Sequence, residues 1–365
     1  MSTNAAANGE DIFRESSWPM GGEPSPVEVR FPGPESGELA HMDASPLRSV
    51  ECPLGGFFVR EDYIRYYEYM EAAWRGKKSY ITITGSPGIG KSIFFLYYFN
   101  RFRADHPEVT IVTAVFETMH RVSAVGSNSV LRECVVFEPG KAPRREPAIP
   151  SRKESWLHLY HGAPPLHPIE GRMVCFTNPD PVWKNQMSKF ETHMTMTLPP
   201  WDLGELLEAN EVLEIGLDVE VVEARFLFFG GAASHCLSLN ADFVEREAER
   251  IRDRIARICS FAELSVLMRE AMARSDDVAH RILSSVPVLG EWMDDIVLPV
   301  LAKQWFASPL ISGMIDASIT ARNDAKVEAR VWSITRVNRD LGAWMRPDPL
   351  PEVELATYRN LLHGL

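Results

Sequence analysis

The amino-acid sequence predicts an α/β fold in which a parallel sheet carries helices on both faces and is followed by an α-helical region. Three observations support this prediction. Short β-branched runs alternate with helical stretches between residues 79 and 198, a pattern typical of parallel βαβ units. A glycine-rich segment, residues 85–92, separates the first of these runs from the first long apolar helix. From residue 219 onward, the spacing of apolar residues is largely helical.

The glycine-rich segment fits the phosphate-binding loop pattern GxxxxGK[ST], the Walker A motif, at every required position. Residues 79–84 predict a strand before it, and residues 93–104 predict a buried helix after it. In this context backbone N–H groups and the helix N-terminus face one anion. We expect Lys91 to reach the β- and γ-phosphates and the Ser92 hydroxyl to bind Mg²⁺. The residues predicted to bind ATP or GTP are Gly85, Ser86, Pro87, Gly88, Ile89, Gly90, Lys91, Ser92 and Ile93.

Four further strands are predicted, and their ends indicate where to look for catalytic groups. The strands are residues 110–116, 156–160, 172–177 and 192–198. Ligands of parallel sheets bind at the carboxyl ends of the strands. Thr177 and Asn178, at the end of the strand of residues 172–177, are therefore candidates to sense the γ-phosphate and to act with Lys91 in catalysis.

The metal site is where the sequence departs from an active nucleotide hydrolase. Mg²⁺ normally takes an Asp at the end of a second strand beside the loop strand. The strand of the right type, residues 156–160, is followed by His161, and a hard cation prefers oxygen to imidazole. Glu117 and Asp180 are the remaining carboxylates near strand ends, and either is an alternative ligand. We therefore expect nucleotide binding, with weak hydrolysis.

The composition changes along the chain and divides it into four regions. Asp202 and Glu205 form a capping-box pattern that predicts the start of the helical region, and residues 278–283 and 291–306 predict further helices. The regions are a disordered leader (1–47), a nucleotide-binding α/β domain (48–200), a helical lid (201–290) and a helical C-terminal segment (291–365), which is a candidate remnant of a further domain.

Charge and cysteine content narrow the choice of partners. A net charge of −12 and a pI near 5.4 argue against broad nucleic-acid or anionic-membrane binding, although they leave room for a local basic groove. The five cysteines are scattered, as expected for reduced thiols of an intracellular protein in the cytoplasm or nucleus. The sequence contains no run of about 18 apolar residues, so no membrane span is predicted.

Several segments, in one order, resemble the P-loop NTPase region of Crinkler-type (CRN) effectors of oomycetes and fungi, a region shared with retrotransposon hot spot proteins. The resemblance covers about residues 50–285 and implies an ASCE-type P-loop fold with a helical lid. It also implies secretion, action inside a host cell and often its nucleus, and a C-terminal nuclease-like domain. The segments are ITGSPGIGKSIFFLYYFNRF, ECVVFEPG, WLHLYHGAPP, MVCFTNPDP, LPPWDLGELLEAN and RFLFFGGAASHCLS.

Some family features are replaced here. Family members usually have Asp-Gly where this chain has His161-Gly162, and a basic residue after the Gly-Gly pair where this chain reaches Ser234. The Phe-Leu-Ala-Lys type of leader is missing from residues 1–47, and no Asp…Glu-x-Lys nuclease arrangement follows residue 290. The phosphate loop is thus intact, whereas the groups expected around it are altered.

Three functions are compatible with these features. The first is an ATP- or GTP-binding P-loop NTPase of Crinkler type that hydrolyses the β–γ phosphate bond weakly. The second is a non-hydrolysing effector, in which nucleotide sets the position of the lid and thereby controls binding of a protein partner. The third is the ATPase partner of a DNA-processing system, which the acidic charge does not favour.

Overall fold

A computed structural model describes residues 37–41, 47, 56–119, 128–150, 155–165, 171–273, 278–288, 291–293, 296–298 and 301–320. The strands are β1 (Leu39–His41), β2 (Gly56–Phe58), β3 (Tyr80–Thr84), β4 (Ile111–Met119), β5 (Asn128–Phe137), β6 (Arg144–Arg145), β7 (Leu157–His161), β8 (Arg172–Phe176), β9 (His193–Thr197), β10 (Leu283–Val288), β11 (Glu291–Met293), β12 (Ile296–Leu298) and β13 (Leu301–Phe306). The helices are α1 (Glu61–Arg75), α2 (Lys91–Asp105), α3 (Pro181–Met187), α4 (Leu203–Val212), α5 (Val219–Phe229), α6 (Ala233–Cys236), α7 (Ala241–Ala256), α8 (Phe261–Ala273), α9 (Ala279–Ile282) and α10 (Pro309–Thr320).

The centre of the molecule is a seven-stranded, mostly parallel sheet, which confirms the predicted α/β class. The strand order is β6-β5-β4-β7-β8-β3-β9. Five neighbouring strands, β4, β7, β8, β3 and β9, are parallel. Strand β5 pairs antiparallel with β4, and β6 pairs antiparallel with β5 at the edge of the sheet. The sequence placed the strand of residues 156–160 beside the loop strand, but β8 lies between β7 and β3. Strand order is set by long-range pairing, which local sequence does not encode.

Helix α2 packs against the sheet through aromatic side chains. Phe94 and Phe95 are fully buried, and both rings meet the ring of Phe176 edge to face, with centroids 5.5 and 5.4 Å away. Burial of such a side chain stabilises the fold by roughly 2–3 kcal/mol, and edge-to-face pairs add to this. Because Phe176 ends β8, the contact fixes the start of α2 over the carboxyl edge of the sheet.

The predicted disordered leader extends too far in the C-terminal direction. Strand β1 lies within it and pairs antiparallel with β2, and Leu47 is fully buried. The pairing gives the backbone of this short polar stretch its hydrogen bonds, and composition does not reveal that partner. Residues 1–36 and 42–46 of the predicted leader lie outside the described residues.

The helix predicted for residues 278–283 is confirmed over residues 279–282, whereas the helix predicted for residues 291–306 is wrong. Helix α9 covers only four residues, and β10 pairs antiparallel with β13 around a second hairpin of β11 and β12. A short apolar run is compatible with either a helix or a strand, and here the distant pairing decides in favour of strands. Part of the predicted helical C-terminal segment, residues 321–365, lies outside the described residues.

Other local predictions for the lid, residues 201–290, are confirmed. Asp202 accepts a hydrogen bond from the backbone N–H of Glu205, whose side chain accepts one from the N–H of Asp202, so the capping box at α4 is complete. Helix α5 ends at Gly230, as the glycine pair predicted. Within the described part of the chain, every helix is too short or too polar to cross a membrane.

Candidate functional site

The glycine-rich loop connects β3 to α2, which is the context that the sequence predicted. Gly85, Gly88 and Gly90 have φ angles of +146°, +81° and +93°, and L-residues with a side chain rarely adopt such values. Gly90 directly precedes α2, and its carbonyl accepts a hydrogen bond from the Tyr63 hydroxyl at 3.1 Å. The loop therefore curls over the N-terminus of α2, where free N–H groups and the helix dipole favour an anion.

Lys91 lies across this loop. Its Nζ donates hydrogen bonds to the carbonyl oxygens of Gly85 at 2.8 Å and Ser86 at 2.7 Å, and the side chain is buried. A buried ammonium needs such acceptors because desolvation of a charge is costly. Lys91 thus places a positive charge within the curve of the loop.

Ser92 contacts the histidine that the sequence analysis singled out. Its Oγ lies 2.8 Å from Nε2 of His161, the last residue of β7. The pKa of His161 is lowered by burial and by the nearby Lys91 ammonium, so the imidazole is neutral at pH 7. The ring also meets Phe95 edge to face at 6.0 Å. The structure therefore brings together Lys91, Ser92 and His161.

Thr177 and Asn178 follow the end of β8 next to the loop strand. The N–H of Thr177 donates to the carbonyl oxygen of Ile83 at 2.9 Å, and Thr177 is buried. Asn178 is exposed. Both residues lie at the carboxyl edge of the sheet, where the sequence predicted them.

The two alternative carboxylates have other roles. The Asp180 side chain accepts hydrogen bonds from the backbone N–H groups of Val182 and Trp183, and so caps α3. The Glu117 side chain is 59% exposed and pairs with Arg132 of the neighbouring β5. These contacts give both carboxylates a structural explanation.

The side chains around Ser92 do not fit the Mg²⁺ ion that the loop motif implies. Mg²⁺ prefers oxygen ligands in a near-ideal octahedron, but the direct partner of the Ser92 hydroxyl is an imidazole nitrogen. Across the described ranges, no group of three or more His, Cys, Asp or Glu side chains is arranged to hold a metal ion. The expected second ligand is thus a nitrogen and not a carboxylate.

Trp201 forms hydrogen bonds with both the loop and the lid. Its Nε1 donates to the carbonyl oxygen of Ile89 at 2.9 Å, and its backbone N–H donates to that of Gly231 at 3.1 Å. The fully buried Arg60 stacks on the Trp201 ring at 4.7 Å and pairs with Glu205 of α4 at 2.8 Å. Trp201 was not among the predicted site residues, because its contacts are with segments far away in the chain.

The lid contacts the loop directly at two places. The N–H of Ser234 donates to the carbonyl oxygen of Gly88 at 3.1 Å. The Ser86 hydroxyl lies 2.9 Å from that of Ser284 and also accepts a hydrogen bond from the N–H of Ser285 at 2.9 Å. Elements α6 and β10 therefore pack directly against the loop.

A cavity of about 20 Å³ remains between loop and lid. This is room for about one water molecule and far too little for a nucleotide. The cavity is lined by loop residues and by lid residues, among them Ser86, Pro87, Phe229, His235, Arg281 and Ser284.

His235 is a buried histidine of this cavity. Its ring is stacked between Phe229 and Phe243, with centroids 4.9 and 5.3 Å away, and it is 4% exposed. Nδ1 lies 3.0 Å from the Ser234 hydroxyl, whereas Nε2 has no hydrogen-bond partner among the residues that the structure describes. Burial, with a contribution from Arg281, lowers the pKa of His235 to about 4.

Arg281 is a basic lid residue that the sequence analysis missed. It lines the cavity beside Ser86 and forms an ion pair with Glu247 of α7. The sequence suggested that a basic residue was lacking directly after the Gly-Gly pair that ends at Gly231. Arg281 lies in α9, 50 positions further along the chain (281 − 231). No local sequence signal links these positions, because the path between them runs through three helices.

No protein-family model matches the chain, and no curated protein matches it either.

Proposed function

We propose that this protein binds ATP or GTP at residues 85–93, that nucleotide occupancy is coupled to the position of the lid, and that hydrolysis of the β–γ phosphate bond is weak. The observation that carries the proposal is the loop itself. It joins β3 to α2, its glycines adopt positive φ angles, and Lys91 and Ser92 begin the helix. Backbone N–H groups, a helix N-terminus and an ammonium group together favour a polyphosphate.

The sheet supports this proposal. The loop follows β3, which lies between β8 and β9, and β8 separates it from β7. An additional strand between the loop strand and the strand that ends beside Ser92 is the feature for which the ASCE class is named. This strand order favours the resemblance to Crinkler-type P-loop NTPases, with their implied action inside a host cell, as the working proposal.

Weak hydrolysis follows from the replacement of a carboxylate by an imidazole. In P-loop hydrolases a carboxylate helps to hold the cation that neutralises charge on the transferred phosphoryl group. Here Ser92 contacts the neutral His161, and Asp180 and Glu117 are engaged elsewhere. Positioning of the phosphates by the loop remains, but charge stabilisation of the transition state is reduced.

Coupling to the lid follows from the contacts at Gly88 and Ser86. Both are made by lid residues, Ser234 and Ser284, on the side of the loop that faces the cavity. A bound triphosphate would replace these contacts and shift the lid, and a partner that recognises one lid position would thereby sense the nucleotide. We propose that this partner is a protein that binds the lid, residues 201–290. The described residues include no feature that favours the DNA-processing alternative.

Calorimetric titration with ATP and GTP tests the proposal, with EDTA, Mg²⁺ or Mn²⁺ present, alongside a phosphate-release assay. We expect micromolar binding, slow turnover, and loss of binding by at least tenfold in Lys91→Ala. Lys141→Ala is the matched control, because Lys141 follows β5 at the opposite edge of the sheet and pairs with the carboxylate of Glu138. Absence of binding for both nucleotides under every cation condition would refute the proposal.

A further inference from the structure

The contact between Ser92 and His161 places an imidazole nitrogen, and not a carboxylate, beside the hydroxyl that the loop motif assigns to a cation. Ser92 Oγ and His161 Nε2 are 2.8 Å apart, which is an ordinary hydrogen-bond distance. A cation that binds both atoms takes the place of this hydrogen bond.

Both side chains are held in place by regular structure. Ser92 is the second residue of α2, and His161 ends β7, where it pairs with Val115 of β4 and Phe176 of β8. The edge-to-face contact with Phe95 limits rotation of the imidazole ring. Preorganised ligands of this kind lose little conformational freedom when a cation binds.

The chemistry of the pair differs from that of a magnesium site. Imidazole nitrogen suits Co²⁺, Ni²⁺ and Zn²⁺, whereas Mg²⁺ prefers carboxylate, carbonyl and water oxygens. For divalent ions of the first transition row, affinity at a nitrogen-containing site rises from Mn²⁺ towards Cu²⁺.

The charges around the pair determine when a cation binds. Both ligands are neutral, and the nearby Lys91 ammonium repels a cation. The two carboxylates that the sequence offered as alternative ligands, Glu117 and Asp180, pair with Arg132 and cap α3 respectively. The negative charge that holds the cation must therefore come from the nucleotide phosphates.

We propose that nucleotide binds this protein together with a borderline divalent cation such as Co²⁺, Ni²⁺ or Zn²⁺, coordinated by His161 Nε2, Ser92 Oγ and phosphate oxygens, in preference to Mg²⁺. This inference rests on the proposed nucleotide site and names the cation class that the site takes. It also requires positive coupling, so that nucleotide raises the affinity for the cation and the cation raises the affinity for nucleotide by the same factor.

The first experiment compares cations for the full chain. Calorimetry gives the affinity for a non-hydrolysable ATP analogue with EDTA, Mg²⁺, Co²⁺, Ni²⁺ or Zn²⁺ present. We expect wild type to bind at least tenfold more tightly with Co²⁺ than with Mg²⁺, and the free protein to bind Co²⁺ weakly. In His161→Asp the preference should reverse towards Mg²⁺, and in His161→Gln the advantage of Co²⁺ should disappear.

The second experiment observes the ligand directly. X-ray absorption at the cobalt edge of the wild-type complex with Co²⁺ and the ATP analogue should show the outer-shell scattering of one imidazole. This signal should vanish in His161→Gln and persist in His193→Gln. His193 is a suitable control because it is the first residue of β9 and pairs with the first residue of β3, whereas the loop follows the last residue of β3.

The outcomes separate the two proposals. Equal affinity with Co²⁺, Mg²⁺ and EDTA, or a wild-type spectrum without imidazole scattering, would overturn the cation inference and leave nucleotide binding intact. Failure of the analogue to bind under all five conditions would refute the nucleotide proposal itself. The wild-type spectrum decides the matter even if a His161 variant does not fold.

Discussion

The hydroxyl oxygens of Ser86 and Ser284 lie 2.9 Å apart, although 198 residues separate them in the chain. The Ser86 hydroxyl also accepts a hydrogen bond from the N–H of Ser285. The side chain of Ser86 thus contacts two consecutive residues near the start of β10, and under the proposed function a nucleotide competes with this contact.

Replacement of Ser284 by alanine should favour nucleotide binding. The change removes one buried hydrogen bond between loop and lid, worth about 0.5–1.5 kcal/mol, and the closed lid competes with nucleotide. We expect the affinity for ATP or GTP, measured by calorimetry, to rise about 2–10-fold, in line with that energy. Ser318→Ala is the control, since it removes a hydrogen bond from α10 to Ile258 instead. An unchanged or weaker affinity in Ser284→Ala would contradict competition between lid and nucleotide.

Gly88→Ala should destabilise the contact with the lid as well as the loop. Gly88 has a φ of +81°, and an added Cβ would lie 2.2 Å from the Ser234 hydroxyl. Gly140→Ala is a matched control, because Gly140 has a φ of +68° and a Cβ added there would meet no atom of the described residues within 4 Å. We expect Gly88→Ala to lower the free energy of unfolding by about 1–3 kcal/mol more than Gly140→Ala, as overpacking does.

A double-mutant cycle with Ser234→Gly then isolates the steric part of that loss. Removal of the Ser234 side chain should recover most of the difference between Gly88→Ala and Gly140→Ala in urea denaturation. Additive effects of the two substitutions would show that Ser234 is not the residue that opposes the new methyl group.

Arg60→Met should be strongly destabilising. Arg60 is fully buried, pairs with Glu205 and Asp62, and donates to the carbonyl oxygens of Pro199 and Pro200. Loss of one member of a buried pair costs about 3–5 kcal/mol, and the partly exposed carboxylates place the expected loss near the lower end. Chemical denaturation measures it. Arg65→Met, which removes a 47% exposed partner of Glu61, should cost less than about 1 kcal/mol.

His235 should make the fold less stable in mild acid. Its pKa falls from 6.5 to about 4 on folding, so between these pH values the unfolded chain binds more protons than the folded one. Stability is then full above pH 6.5 and decreases as pH falls towards 4, by about 2–3 kcal/mol for this residue. The difference in unfolding free energy between wild type and His235→Phe should change by that amount between pH 7 and pH 4.

His106 provides a control of opposite sign for the pH experiment. Burial lowers its pKa, but the nearby carboxylate of Glu71, 3.7 Å from Nε2, acts in the opposite direction, and the pKa is raised overall. It therefore contributes stability below the unfolded pKa that is lost as pH rises through the folded value. Relative to wild type, His106→Gln should lose stability at low pH. A pH dependence of His235→Phe that parallels wild type would contradict the assignment to His235.

Local sequence was sufficient for the elements whose signals lie within a few residues. The phosphate-loop pattern, the strand before it and the helix after it were all predicted, as were the capping box at Asp202 and the end of α5 at Gly230. In each case the determining interactions join near neighbours, such as a side chain and the N–H three residues later. The sequence also singled out His161 as the residue that replaces a carboxylate.

Long-range pairing determined the rest. Strand β10 pairs with β13 and β11 pairs with β12, although the apolar spacing of residues 291–306 suggested a helix. The insertion of β8 between β3 and β7, and the contacts of Arg281 and Ser284 with the cavity, likewise depend on partners far away in the chain.

The sequence by itself thus determined that the GxxxxGK[ST] pattern stands between a strand and a helix, and that His161 follows the strand where a carboxylate was expected. Only the tertiary structure decided that His161 Nε2 lies 2.8 Å from Ser92 Oγ and that Ser234 and Ser284 cover the loop. The physical reason is that loop conformation arises from φ angles and helix ends, which are local. Ligand geometry and lid closure arise from side chains that meet only when distant strands and helices pack together.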